Sequence, residues 1–288
     1  MISVIIVDYK LPIYTKLCID SILKADYKDI EIILVDNSEN NIGLAAAQNK
    51  GAKKAKGEYL FFLNNDTLVA CNIFDYLLET KYDITGCRML DYTGNKELDS
   101  ALSVDRFGCP AGKTGKMFYP DGAIFIKRKI FEEIGGFDEK LFLYGEDRDL
   151  CWRAWLADYT VGNNDNATFF HNSSCVSDTN YFRRKISERN ILRSIIKNYS
   201  LKNLPWILLQ YSFWSILEIG YILFTRPQAI WYSYLPAYWW NIINLKDTLQ
   251  ARKKIIRRIP DSKVPFSKVI SKLWVLTHGG IIWGQKRY

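Results

Sequence analysis

Three short polar segments could bind a charged ligand, and each directly follows a run of apolar residues. They are Asp8, Asp36-Asn37-Ser38 and Asn64-Asn65-Asp66. Carboxylate and amide oxygens are the ligands that Mg²⁺ and similar hard cations prefer. Asn and Asp are also good turn formers after strands, which explains one such segment easily and three less well. The pattern therefore favours a shared binding site, with a metal held by Asp as its candidate feature.

A second group of acidic residues lies in Gly145-Glu146-Asp147-Arg148-Asp149-Leu150, at the predicted start of a helix. One of these carboxylates could act as a general base. Acidic side chains in the first turn of a helix are also stabilised by the helix dipole, so a purely structural role stays open on the residues alone. Asp149 and Arg153 are spaced for an i,i+4 ion pair.

The elements that must position these groups alternate along the chain. Ile2–Val7, Ile30–Val35 and Tyr59–Leu63 are predicted buried strands, and helical stripes fall at 12–24 and 44–55 between them. This order is typical of an α/β fold whose parallel strands are joined by crossover helices. Ligands of open α/β sheets bind at the carboxyl ends of the strands, so we expect the three polar segments to converge.

Other motifs narrow the chemistry. The chain has neither GxGxxG after its first strand nor GxxxxGK[ST], so a dinucleotide site and a P-loop are both unsupported. Asp121-Gly122 precedes a further apolar run at Ile124–Ile126. A glycine at this position would let the backbone approach a ligand closely.

Charge is distributed unevenly along the 288 residues. Residues 1–180 hold 20 Lys and Arg against 27 Asp and Glu, whereas residues 181–288 hold 19 against 4, giving a net charge of +8. Seven of the nine Trp also fall in the second stretch. A basic region needs an anionic partner, and the interleaved Trp and Tyr favour a membrane interface over nucleic acid.

The basic region contains two long apolar stretches. Residues 203–225 carry a single charge, Glu218, and residues 227–245 carry none but include Pro236. About 20 apolar residues are enough to span a bilayer. The flanking Lys and Arg favour amphipathic helices that lie in the interface of an anionic membrane. A spanning hairpin and an ordinary helical subdomain stay open as alternatives.

The cysteines and the first residues indicate a cytosolic protein. The apolar run Ile2–Val7 is far shorter than a secretory core and is interrupted by Asp8. The cysteines lack CxxC spacing and are interpreted as reduced thiols. They are Cys18, Cys71, Cys87, Cys109, Cys151 and Cys175.

Two longer runs resemble the family-2 glycosyltransferases, most closely the rhamnosyltransferase-like branch. They are NIGLAAAQNKGAKKAKGEYLFFLNNDT (Asn41–Thr67) and GGFDEKLFLYGEDRDLCWRAWLADY (Gly135–Tyr159), preceded by VDNS (Val35–Ser38). The resemblance implies a GT-A fold, a Rossmann-like and mostly parallel sheet flanked by helices, in a catalytic domain of residues 1–200. Residues 201–288 would then form a C-terminal helical, membrane-associating extension.

The resemblance also implies a role for individual residues. Asp147 would be the catalytic base, a role typically worth on the order of 10²–10⁴ in rate. Asp66 and His171 would hold Mg²⁺ or Mn²⁺, with one carboxylate in Asn64-Asn65-Asp66 where the family has a DXD-type motif. The acceptor would contact Asp121, Gly122 and Glu146. The nucleotide-sugar donor would contact Asp8, Asp36, Asn41, Asn49, Asn65 and Asp66.

The implied function is inverting sugar transfer at the cytoplasmic face of a membrane, with peripheral attachment. The donor would be dTDP-rhamnose or a UDP-sugar, the acceptor a lipid-linked or cell-surface glycan, and nucleic acid is not an expected partner. Two other classes stay open. One is a non-catalytic glycan- or lipid-binding relative. The other is a metal-dependent nucleotidyltransferase, which would normally show a Gly-rich basic loop near the first strand.

Overall fold

The computed structural model describes residues 1–172 and 180–272. Within these residues the chain forms two compact units, one built from 1–102 and 117–172 and the other from 103–116 and 180–272. The boundary predicted at residue 200 lies inside the second unit. Cys175 and the last part of the predicted membrane-associating extension, 273–288, lie outside the described residues. The five described cysteines are free thiols, as predicted.

The first unit consists of strands with five helices between them. Its helices are α1 (Pro12–Leu23), α2 (Leu44–Ala52), α3 (Ile73–Leu78), α4 (Arg128–Glu133) and α5 (Glu146–Leu156). Its strands are β1 (Ile2–Asp8), β2 (Ile30–Asp36), β3 (Tyr59–Asn64), β4 (Thr67–Val69), β5 (Ile84–Asp91), β6 (Glu97–Leu98), β7 (Ala101–Leu102), β8 (Tyr119–Pro120), β9 (Ala123–Lys127) and β10 (Val161–His171). The three strands and two helices predicted within the first 66 residues are therefore confirmed.

The main sheet is mixed, with strand order β2-β1-β3-β9-β5-β10-β4 and β6 paired to β5. β1 pairs in parallel with β2 and β3, and β5 pairs in parallel with β10. β9 runs antiparallel to both β3 and β5, and β4 runs antiparallel to β10. Five strands therefore run in one direction, β1, β2, β3, β5 and β10, and three run against them, β4, β6 and β9. The prediction of a mostly parallel sheet is confirmed, and the three antiparallel strands make the sheet a mixed one.

The direction of β9 follows from where the chain enters it. The amide of Asn64, at the end of β3, donates to the carbonyl oxygen of Gly122 over 3.1 Å. β9 thus begins at the edge where β3 ends, so it can only run back antiparallel. This reversal places Asp121 and Gly122 at the carboxyl edge of the parallel strands.

The core that fixes this edge lies between the sheet, α1 and α3. Ile2, Val4 and Ile6 alternate along one face of β1 and are fully buried against Phe61 of β3 and Phe74 of α3. Burial of an apolar side chain of this size contributes roughly 1.5–3 kcal/mol. The ends of β1 and β3 are therefore held in fixed register, with Val7 opposite Asn64.

The second unit is helical. It contains α6 (Asn180–Asn198), α7 (Leu204–Thr225), a π-helical turn (Ile230–Tyr234), α8 (Leu235–Ile243) and α9 (Leu245–Arg252). Segment 103–116 joins it through several hydrogen bonds. Among them, the amide of Ser267 donates to the Val104 carbonyl over 2.7 Å, and the amide of Ser271 donates to the buried Asp105 carboxylate over 2.9 Å. Sequence reasoning did not assign this segment to the helical region.

Candidate active site

The polar ends of β1 and β3 converge, as predicted. Oδ1 of Asp8 accepts hydrogen bonds from Asn65 Nδ2 over 3.2 Å and from the amide of Leu11 over 3.0 Å. Asn65 Nδ2 also donates to Thr15 Oγ1 over 2.9 Å. Two predicted donor-binding residues are thus linked directly. Thr15, which sequence reasoning missed, fixes the amide that joins them.

The end of β2 contributes a third polar group. Oδ1 of Asp36 accepts from the amide of Ser38 over 2.9 Å, and Ser38 Oγ accepts from the amide of Lys10 over 3.0 Å. The hydrogen bond from the Ser38 backbone, followed by one from its side chain, lowers the pKa of the exposed Asp36 carboxyl. Asp36 therefore presents an ionised carboxylate that can accept hydrogen bonds from ligand hydroxyls.

Asn41 and Asn49 make structural hydrogen bonds on either side of the start of α2. Oδ1 of Asn41 accepts from Asn37 Nδ2 over 3.1 Å and from the Gly43 amide over 3.0 Å. Asn49 Nδ2 donates to the carbonyl of Phe137 over 2.9 Å, and its Oδ1 accepts from the Phe137 amide over 3.0 Å. Both residues shape the backbone next to the site. Their predicted contact with the donor stays a prediction.

Asp66 and His171 form the pair that was predicted to hold a metal. His171 Nε2 lies 3.3 Å from Asp66 Oδ1, and both side chains are largely buried. Antiparallel pairing of β10 with β4 brings them together by setting His171 opposite Thr67. Burial opposes a charge on His171, but the hydrogen bond and charge of Asp66, with that of Asp121, outweigh it and raise the pKa of the imidazole.

This pair fits an open cation site rather than a closed one. Within residues 1–172 and 180–272, no group of three or more His, Cys, Asp or Glu side chains is placed to hold a metal ion. A cation bound by Asp66 and His171 would therefore take its other ligands from water or from phosphate oxygens. Mg²⁺ commonly binds in this way, through one or two carboxylates and substrate phosphates.

The acidic group at the start of α5 is presented by a strained loop. Phe142, Tyr144 and Gly145 all have positive φ, at 65°, 64° and 98°. A Cβ on Gly145 would lie 2.5 Å from Arg148 Nη2, so only glycine fits there without a shift. Strained backbone of this kind is found where surrounding structure must hold a functional group in one orientation. Here it fixes the direction of Glu146 and Asp147.

Glu146 and Asp147 are carboxylates in a protein environment that disfavours their charge. Burial, followed by the charges of Glu146 and Asp121, raises the pKa of Asp147 well above its ordinary range. Burial also raises the pKa of Glu146 to about 7, and its Oε2 is buried without a hydrogen-bond partner. Asp147 Oδ1 accepts from the amide of Arg148 over 2.6 Å. A proton or a cation would stabilise this acidic pair.

Asp121 acts electrostatically on both the Glu146–Asp147 pair and His171. Its charge raises the pKa of Glu146, Asp147 and His171 alike, so the four groups share one electrostatic environment. Gly122, at φ 77°, places its Cα beside Phe169, whose ring would lie 3.2 Å from an added Cβ. Gly122 is thus needed for packing against Phe169, and its predicted contact with a sugar stays a prediction.

The structural role left open for the acidic group belongs to Asp149. Its Oδ2 lies 2.9 Å from Arg153 Nε, and the pair is buried, so the predicted i,i+4 ion pair is confirmed. Arg153 also donates from Nη1 to the carbonyl of Ile134, which joins α5 to the end of α4. Of the three acidic residues in this first turn, Asp149 therefore has a structural role, and the predicted roles of Glu146 and Asp147 in the site stay predictions.

The fold defined by this sheet and its carboxyl-edge site is a GT-A-like α/β fold. A structure of S. aureus TarS 1–349 in complex with UDP-GlcNAc superposes with a TM-score of 0.50 at 16% identity, over 73% of this chain and 71% of that chain. A structure of GalNAc-T7 with UDP, GalNAc and Mn²⁺ superposes with a TM-score of 0.57 at 17% identity, over 88% of this chain and 54% of that chain. The predicted fold class is confirmed.

Residues 37–135 match the sequence model of Glycosyl transferase family 2, and the chain therefore contains a domain of that family. It is 31% identical to the uncharacterised glycosyltransferase EpsJ of Bacillus subtilis, over 30% of this chain and 33% of EpsJ. It is 32% identical to the glycosyltransferase GlyG of Streptococcus pneumoniae, over 27% of this chain and 34% of GlyG. The matched stretch thus spans about a third of each of these two relatives.

Proposed function

We propose that this protein transfers a sugar from a nucleotide-sugar donor to a glycan acceptor with inversion at the anomeric carbon. One observation supports the proposal: Asp66 lies 3.3 Å from His171, and the charge of Asp121 acts both on His171 and on the Glu146–Asp147 pair. Such a site offers a place for a diphosphate leaving group and a place for a base. The family of the matched domain supports the same reading.

On the donor side, Asp66 and His171 would hold Mg²⁺ or Mn²⁺. The cation would act as a Lewis acid that stabilises the negative charge of the departing nucleoside diphosphate. The ionised, exposed Asp36 and the linked Asp8 and Asn65 would accept hydrogen bonds from the nucleoside. The two structural neighbours are recorded with UDP-GlcNAc and with UDP, which favours a UDP-sugar, with dTDP-rhamnose as the alternative.

On the acceptor side, Asp147 would take the proton. The acceptor oxygen attacks the anomeric carbon as the bond from that carbon to the diphosphate oxygen breaks, and the hydroxyl proton passes to the carboxylate. Oδ1 of Asp147 accepts from the Arg148 amide, so Oδ2 is the oxygen assigned to the proton. A raised pKa makes a carboxylate a better base near neutral pH.

Glu146 would orient the acceptor. Its buried Oε2 has no partner of its own and could pair with an acceptor hydroxyl, beside Asp121 and Gly122. The proposed acceptor is a lipid-linked or cell-surface glycan precursor, used at the cytoplasmic face of a membrane. The basic, Trp-rich character of residues 181–288 supports this location.

The proposal is tested by thermal-shift measurements with a panel of UDP- and dTDP-sugars, with and without Mn²⁺. A ligand at 100 times its Kd stabilises the fold by about 2.7 kcal/mol, so binding gives a measurable rise in Tm. We expect one nucleotide class to raise Tm, and Mn²⁺ to increase that rise. Asp66→Asn should remove the Mn²⁺-dependent part, whereas Asp75→Asn, an exposed substitution on α3, should not. A panel without any shift would contradict the proposal.

A further inference from the structure

Helix α7 has an inverted distribution of polar and apolar side chains. Its buried side chains recur every three or four residues and include polar ones: Ile207, Tyr211, Ser215, Glu218 and Ile222. The opposite side of the helix is apolar and exposed, at Trp206, Leu209, Phe213, Ile216, Leu217, Leu223 and Phe224, and Phe224 is 88% exposed. A helix on a water-facing surface normally shows the reverse arrangement.

The polar side of α7 is buried against the rest of the second unit. Glu218 is 0% exposed, and its Oε2 lies 2.7 Å from Nζ of Lys272. The same ammonium lies 3.3 Å from Glu188 Oε2 on α6, and Tyr211 donates to that Glu188 oxygen over 3.0 Å. The charge of Glu218, which interrupts this apolar stretch in the sequence, is therefore paired inside the second unit, and the outer side of α7 carries no charged side chain.

The exposed apolar surface continues beyond α7. The end of α7 packs on the π-helical turn and α8 through Ile222, Ala229 and Tyr234. These following elements expose another set of large apolar side chains: Trp231, Tyr232, Leu235, Trp239, Ile242 and Ile243. We call the exposed residues of both sets the outer apolar face. Water-soluble proteins rarely expose so many large apolar side chains together without a partner.

The charge around this face is strongly positive. Between residues 180 and 272 the sequence has 17 Lys and Arg and 4 Asp and Glu. Each of the four acids is ion-paired within the unit, to Lys272, Arg193 or Arg257. Exposed basic side chains flank α7 at Lys202 and Arg226, and others lie on or directly after α9, the helix that follows α8: Lys246, Lys253 and Lys254.

We infer that the outer apolar face docks on an anionic lipid bilayer, with α7 and α8 lying in the plane of the interface. Exposed Trp and Tyr, large aliphatic side chains and flanking Lys and Arg are the groups that bind such a surface. The inference does not depend on the proposed catalysis, since none of these residues belongs to the candidate site.

The packing of α7 favours flat docking over spanning. Among the described residues, α7 is the one helix long and apolar enough to cross a membrane. Its inner side, however, contacts α6, which carries the buried charged side chains of Arg184, Glu188 and Arg193. A spanning α7 would have to take these charges into the bilayer or lose the Glu218–Lys272 pair. Lying in the interface, it keeps both the pair and the apolar contact.

The test is vesicle flotation of the full chain with phosphatidylcholine alone and with 30% phosphatidylglycerol added. We expect binding to the anionic vesicles, weakened by salt and released by alkaline carbonate. Lys253→Glu with Lys254→Glu should weaken it at least fivefold per charge, as expected for about 1 kcal/mol per basic residue. Trp206→Ser with Phe213→Ser should weaken it at least about tenfold.

The matched control is Ile13→Ser, which removes an apolar side chain that is 74% exposed on α1, outside the outer apolar face. It should leave flotation unchanged. Circular dichroism of each variant separates lost docking from lost folding, and the lysine pair, being exposed, supplies a second variant that keeps the core. Three results would overturn the inference: carbonate-resistant insertion, equal binding to neutral vesicles, or no flotation together with concentration-dependent self-association in sedimentation.

Discussion

Replacing the proposed base, Asp147→Asn, separates catalysis from structure in one substitution. Asparagine keeps an oxygen that can accept the hydrogen bond now made by the Arg148 amide over 2.6 Å, so the start of α5 should keep its geometry. What it removes is the group that accepts a proton. The variant should therefore still bind a nucleotide-sugar and fail to turn it over.

The size of the effect follows from the role. Loss of a general base typically costs on the order of 10²–10⁴ in rate, which is about 2.7–5.5 kcal/mol in the activation free energy. In the wild type, kcat should rise as pH rises through the pKa of Asp147, because only the ionised carboxylate accepts a proton. Burial and the neighbouring carboxylates raise that pKa, so this limb should lie above the ordinary range of an aspartate.

The Asp147→Asn substitution should not lower thermal stability at high pH, although it lowers activity. The pKa of Asp147 is raised in the folded state, so its stabilising contribution is fully present below the unfolded pKa and lost as pH rises through the folded one. Asparagine has no charge to lose. At pH 8 the Tm of Asp147→Asn should equal or exceed that of the wild type.

The assay combines nucleoside diphosphate release, donor binding by thermal shift, and thermal unfolding at pH 5 and pH 8. Asp158→Asn is the matched control, because it makes the same change at an exposed position just beyond the other end of α5. Turnover by Asp147→Asn within about threefold of the wild type would refute the assignment of the base. A lower Tm at pH 8 would refute the electrostatic reasoning.

Three further predictions follow from other parts of the molecule. Lys272→Met leaves Glu188 and Glu218 buried without their shared ammonium, so it should lower the free energy of unfolding by about 3–5 kcal/mol in urea titrations; a loss below 1 kcal/mol would contradict the pairing. Gly145→Ala places a Cβ 2.5 Å from Arg148 Nη2, so it should lower kcat more than it lowers Tm; unchanged kcat would show that the strained loop does not position the site. EDTA should abolish nucleotide-sugar turnover, and excess Mn²⁺ or Mg²⁺ should restore it. Full turnover in the presence of EDTA would contradict the proposal that Asp66 and His171 hold a cation needed for transfer.

Much of the candidate site was predictable from the sequence, because several of its residues come directly after strands of the parallel sheet. Strand order within the first 66 residues was enough to predict that Asp8 and Asn65 would meet, and they are hydrogen-bonded. The pairing of Asp66 with His171 came instead from the resemblance to a family. No local pattern could supply it, because the two residues are far apart in sequence and are joined only by the antiparallel pairing of β10 with β4.

The missed features depend on long-range packing. Thr15 lies on an ordinary helix, and its contact with Asn65 follows from how α1 crosses the sheet. β9 runs antiparallel because the chain enters it at the carboxyl edge of the parallel strands, and no pattern within β9 itself indicates that direction. The buried carboxylate of Glu218 is paired with the ammonium of Lys272, which lies 54 residues away in the sequence. Each is a tertiary contact that short-range periodicity does not contain.

A proton NMR time course tests the central claim most directly. The purified chain would be incubated with Mn²⁺, a detergent-solubilised lipid-linked glycan acceptor and each UDP- or dTDP-sugar in turn. We expect the anomeric signal of one donor to decay while a product signal of inverted configuration appears, and with Asp147→Asn we expect no decay and no product signal. A product that retains the donor configuration, or the absence of donor consumption across the whole panel, would contradict it.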